Sequence, residues 1–159
     1  MTSQQKEVLK VWIAAGLWLA LIAIESTAML SAENTGRFLF PILHYLFGIT
    51  RAQFRIWHIV IRKGGHVIGY FILSVLLFRA WRLTLTMEHA ARWAMRWATV
   101  AFLMTALVAS LDEWHQSFIP SRTGRVGDVI LDSSAALLAQ LAMFWICRKN
   151  QQSISLGAG

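Results

Sequence analysis

A small set of polar side chains in this 159-residue chain has the types and spacing for chemistry. Lys63, His66 and Tyr70 stand at i, i+3 and i+7, so a helix would set an ammonium, an imidazole and a phenol on one face. Asp112, Glu113 and Gln116 lie within about one helical turn, and Arg122 and Arg125 follow. Asp128 and Asp132 are again one turn apart, near a helix start where the macrodipole favours acids. Carboxylates beside an imidazole suit proton transfer, and arginines suit an oxyanion or a phosphate. The set fits attack on a phosphate or glycosyl bond. His66, Asp112 and Glu113 are the candidate catalytic groups; Lys63, Tyr70, Gln116, Arg122, Arg125, Asp128 and Asp132 are the candidate ligand-binding groups. No GxSxG, P-loop or kinase signature is present, and nothing supports Ser110, Ser117 or Ser121 as a nucleophile. No tight metal motif such as HExxH occurs, so no metal or other cofactor is expected. A looser ligand set of His66 with Asp112, Glu113 or His115 is an alternative. The acids also suffice to neutralise Lys63, Arg122 and Arg125 and so to lock helices together.

The elements that must position these groups are apolar. Hydrophobic residues make up 57% of the chain and charged residues 14%, against about 25% in soluble domains. This composition indicates an integral membrane protein. The formal charge of +7 is carried by Lys and Arg flanking apolar runs, where topology and anionic lipid account for it. No nucleic-acid partner is expected. The one cysteine, Cys147, excludes an intrachain disulfide.

Four runs lack Asp, Glu, Lys and Arg: residues 11–24, 64–78, 97–111 and 133–147. Each covers only about 22 Å of a hydrocarbon core about 30 Å thick. Charged ends must therefore dip into the membrane boundary. Lys and Arg reach back to the interface, but short acids need partners or an aqueous pocket. The expectation is an all-α, integral membrane four-helix bundle, with spans near 9–30, 63–81, 95–113 and 128–147. The domain covers 1–150, and 151–159 form a polar C-terminal tail. The first span resembles a signal peptide ending at "STA" (26–28), but apolar character continues to Ala32, so a retained helix is expected.

Four spans place both termini on one side. The 79–96 loop carries Arg79, Arg82, Arg92 and Arg96, whereas 112–127 carries only Arg122 and Arg125. The positive-inside rule then puts the termini in the cytoplasm of a bacterial inner-membrane protein. Glu25, Lys63, His66, Asp112, Glu113, Asp128 and Asp132 gather at helix ends on the opposite, outer side.

The connection from 25 to 62 is too long for a plain loop. Its "RFLFPILHYLFG" stretch, broken by Pro41 and Gly48, reads as a shallow re-entrant or interfacial segment. In 51–63, Arg51, Arg55, His58 and Arg62 share one helical face while Phe54, Trp57 and Ile61 share another. This is the pattern of an interfacial amphipathic helix lying among lipid headgroups. Gly64, Gly65 and Gly69 are expected to admit a neighbouring backbone.

"RKGGHVIGYFIL" followed by "DEWHQSFIPSRTGRVGDVILD" resembles the VanZ-like family of small polytopic membrane proteins. That pattern has a basic residue, then Lys-x-x-His-x-x-x-Tyr in one helix, then Asp-Glu-x-x-Gln-x-Phe, Pro-x-Arg and Asp-x-x-x-Asn-x-x-Gly. It falls here on Lys63, His66, Tyr70, Asp112, Glu113, Gln116, Phe118, Pro120, Arg122 and Asp128. Asp132 stands in place of the Asn, and Ala135 in place of the Gly. The resemblance covers about residues 62–141. It implies a cell-envelope role, the family being named for a protein associated with teicoplanin resistance.

Three functions follow. One is an envelope protein holding a lipid-linked or anionic component, or a glycopeptide, at an outward-facing site, with membrane lipid as its constant partner. Another is an intramembrane enzyme acting on a lipid-linked phosphate or sugar through His66 and Glu113. The third is a structural or assembly partner.

Overall fold

The computed structural model describes residues 1–28, 31–85, 94–120, 122 and 124–156, with side chains for all of these except 32, 33 and 149–156. Arg92 and Ser121 lie outside the described residues. The elements are α1 (Ser3–Glu25), α2 (Ala32–Phe47), α3 (Arg51–Leu85), α4 (Met95–Ser117) and α5 (Val126–Leu156). α1, α3, α4 and residues 126–148 of α5 are long and apolar enough to cross a membrane. α5 continues through 151–156.

Outer faces and core are inverted relative to a water-soluble bundle. Apolar side chains lie exposed at Ile13, Leu17 and Ile24 on α1, at Leu103 and Leu107 on α4, and at Leu137, Leu141 and Trp145 on α5. No more than 33% of any span's most apolar window is buried within the protein. Continuous apolar surface of this kind belongs against lipid.

The interior is narrow and built around α3, which packs against α1, α4 and α5. Tyr70, Leu73, Ser74, Leu77 and Phe78 of α3 are buried. α5 packs against this helix and buries a small-residue stripe of Ala135, Ala136 and Ala139, which lets helices approach closely. A polar clasp completes the contact. Gln140 Nε2 donates to the Ser74 carbonyl (3.1 Å) and Oγ (2.7 Å), and Ser74 Oγ donates to the Ala136 carbonyl (3.2 Å).

The amphipathic stretch 51–63 is not a separate helix. It is the opening of α3, whose 35 residues extend about 50 Å. No proline interrupts it, and Gly64 and Gly65 each cost a helix only about 1 kcal/mol. Lys63 and His66 consequently lie in the middle of a helix rather than at its end. The long connection contains α2 instead, which accommodates Pro41 internally and stops at Gly48, where φ is 65°. α2 doubles back along the first turns of α3. Thr35 Oγ1 lies 3.0 Å from His58 Nε2, and the Phe40 and Phe54 ring centroids are 5.4 Å apart. The glycines also differ from expectation: a Cβ at Gly64 or Gly65 would meet nothing within 4 Å, and one at Gly69 only Ile22 at 3.9 Å.

Candidate functional site

Three elements meet at one end of the bundle. α3 supplies Arg62, Lys63 and His66 from its middle turns. The last turns of α4 supply Asp112, Glu113 and Gln116, and the first turns of α5 supply Asp128 and Asp132. The α4–α5 loop supplies Arg122 and Arg125. All except Asp112 line one cavity of about 260 Å³.

Burial grades the cavity from rim to floor. At the rim, Lys63 Nζ and Asp128 Oδ1 form an ion pair at 2.5 Å, with side chains 53% and 24% exposed. At the floor, Glu113 is buried and Asp132 is wholly buried. His66 Nδ1 lies 3.2 Å from Asp132 Oδ2. Glu113 Oε2 accepts the backbone N–H of Arg125 at 2.8 Å, which leaves its other oxygen for other partners. The guanidinium of Arg125 has no hydrogen bond or ion pair among the described residues.

Tyr70 and Asp112 sit apart from this cavity, against a smaller cleft shared with Ile22, Glu25, Ser26 and His66. The Tyr70 hydroxyl donates to Asp112 Oδ2 at 2.8 Å, and Gln116 Nε2 donates to the same oxygen at 3.0 Å. Asp112 is therefore occupied as a hub between α3 and α4.

Arg122 is committed in the same way. It is 8% exposed. Its Nη1 donates to Gln116 Oε1 at 3.3 Å, and its Nη2 donates to the carbonyls of Glu25 and, at 2.9 Å, Thr27. These bonds tie the α4–α5 loop to the end of α1. Burial, and then the nearby Arg62 guanidinium, lower its pKa below the ordinary arginine value, although arginine stays cationic in proteins. Ser26 Oγ and His115 Nδ1, 3.2 Å apart, add a second tie between α1 and α4.

Two contributors are absent from the candidate site residues. Arg62, read from the sequence as part of the amphipathic face and at the start of the motif, lines the cavity. Gly124 lies so close to α4 that a Cβ would run into the Glu113 carbonyl oxygen and stand 3.0 Å from Ser117 Cβ. Its φ is not positive, so the requirement is for space alone. A glycine between two arginines in a short interhelical loop was the available signal.

The fold and this cavity define a small multi-pass α-helical membrane protein with an ionisable site at one end of its bundle. The VanZ/LLP1 family model matches residues 11–148, and the chain belongs to that family. No curated protein and no solved structure gives a match.

Proposed function

We propose that this VanZ/LLP1-family protein is a bacterial inner-membrane envelope protein whose cavity holds the anionic headgroup of a lipid-linked envelope component. The carrying observation is the convergence of Arg62, Lys63 and Arg125 on one cavity lying between membrane-spanning helices. Arg125 supplies the guanidinium that meets the ligand, since Arg122 is engaged by backbone carbonyls. Lys63 exchanges Asp128 for the ligand at the rim. Cytoplasmic termini, favoured by the arginine-rich 79–96 loop, turn the cavity outward. An altered response to glycopeptides such as teicoplanin then follows from retention of an envelope precursor, without chemistry.

Native mass spectrometry of the detergent-solubilised protein with polyprenyl phosphate, phosphatidylglycerol or phosphatidylcholine tests the reading. Polyprenyl phosphate should be retained preferentially, and Arg125→Ala with Lys63→Ala should abolish that preference. Equal retention of all three lipids by the wild type would remove the proposal.

The contact between His66 and Asp132, with Glu113 across the same cavity, favours a second reading as an enzyme on a lipid-linked phosphate or sugar. Release of phosphate or sugar from such a lipid, lost in Glu113→Gln and His66→Ala variants that still melt cooperatively, would establish it. No turnover by the wild type leaves the binding reading alone.

A further inference from the structure

We infer that the floor of the cavity is a divalent-cation site formed by His66, Glu113 and Asp132. One ligand atom from each of the three lies within 4.8 Å of the others. They come from α3, α4 and α5, so the site sits where three helices converge. One imidazole nitrogen with two carboxylates suits a borderline first-row cation such as Mn²⁺ or Zn²⁺.

Two further observations point to a ligand. Asp132 is 0% exposed, and its Oδ1 has no hydrogen-bond partner among the described residues. A carboxylate oxygen so placed is costly unless something positive meets it. The 3.2 Å separation of His66 Nδ1 and Asp132 Oδ2 is also suitable for coordination. Two donors each about 2.1 Å from a cation stand roughly 3.0–3.4 Å apart in octahedral or tetrahedral arrangements. A cation therefore replaces the hydrogen bond at Oδ2 with little movement, and a bidentate Asp132 carboxylate brings the unpartnered Oδ1 to it as well. One carboxylate oxygen of Glu113 completes the trio, and the Arg125 backbone N–H at 2.8 Å from Oε2 holds that carboxylate in place.

Three protein ligands leave coordination positions open to the cavity. Those positions face the space lined by Lys63 and Arg125. A phosphate or carboxylate oxygen there meets the cation on one side and the basic side chains on the other. The cation site does not depend on what that anion is.

The test uses the full chain in a neutral detergent, stripped with EDTA, without added lipid. Mn²⁺ binding is followed by electron paramagnetic resonance, and Zn²⁺ binding by calorimetry. The wild type should bind one equivalent of at least one of these ions. Asp132→Asn keeps the shape of the side chain and should weaken binding at least tenfold. His66→Gln should do the same, and it guards against an Asp132 variant that does not fold. His44→Ala, at an exposed histidine on α2 away from the trio, should leave binding unchanged. Failure of the folded wild type to bind either ion, with Asp132 simply protonated, overturns the inference. Equal binding by wild type, Asp132→Asn and His66→Gln, an adventitious ion only, overturns it as well. Neither result touches lipid retention, which is read without metal.

Discussion

Gly124→Ala isolates the packing that holds the α4–α5 loop over the cavity. The added methyl would overlap the Glu113 carbonyl oxygen and approach Ser117 Cβ to 3.0 Å and Ser117 N to 3.1 Å. Backbone atoms of a helix cannot turn aside as a flexible side chain can, so the loop must move. Overpacking of this kind costs about 1–3 kcal/mol. The displaced Arg125 N–H also weakens its 2.8 Å bond to the Glu113 carboxylate, and a bond to a charged group contributes about 1.5–3 kcal/mol. Reduced chain entropy in the unfolded state returns only about 0.4–1 kcal/mol. The net loss is about 2–4 kcal/mol, which for a chain near this length lowers the melting midpoint by roughly 5–15 °C. Tryptophan fluorescence during heating in detergent reads the transition. Gly64→Ala and Gly65→Ala are the controls, since nothing lies within 4 Å of either added methyl. Each should raise helix stability, by up to about 1 kcal/mol. Gly124→Ala melting with the wild type, or above Gly64→Ala, would refute the close approach.

Tyr70→Phe removes one of the two donors to Asp112 Oδ2 and should cost about 1.5–3 kcal/mol in the same melt. Gln140→Leu removes the α3–α5 clasp but also an Oε1 buried without a partner. Its melt should therefore change by no more than about 1 kcal/mol, within the range of interhelical hydrogen bonds in membranes. A double-mutant cycle on Lys63 and Asp128 should return under about 1 kcal/mol, because the pair lies at the rim with the Lys63 side chain half exposed; a larger coupling would place it deeper than its exposure indicates. For topology, Arg125→Cys in a Cys147→Ser background should react with a membrane-impermeant maleimide added to intact cells, and Thr2→Cys should react only after lysis.

The spans were legible because their lipid-facing surfaces are apolar all round, as at Leu17, Leu107 and Leu137. The grouping of the ionisable residues was legible from depth alone, since four spans bring Lys63, His66, Glu113 and Asp132 to one end. Helix continuity was not. The polar periodicity of 51–63 describes a face, and a face is the same whether a helix lies along the membrane or leads into it. The division of labour within the site was equally hidden. Arg122 and Arg125 are chemically alike in sequence, yet one is fastened to the carbonyls of Glu25 and Thr27 while the other lines the cavity. That difference is set by the path of the loop, which Gly124 permits. Asp132, where the motif resemblance leads one to expect Asn, lies on the α5 face that meets His66 of α3 and carries a second carboxylate to the cavity floor.

The most direct test is to locate a polyprenyl phosphate by cryo-electron microscopy of the protein in lipid nanodiscs, with a rigid binding fragment to add mass. Phosphate density is predicted within hydrogen-bonding distance of Arg125 or Lys63, with the prenyl chain leaving between the helices. Phosphate held instead in the groove of Arg37, Arg51 and Arg55 between α2 and α3, with the cavity closed to lipid, would contradict lipid retention at this site.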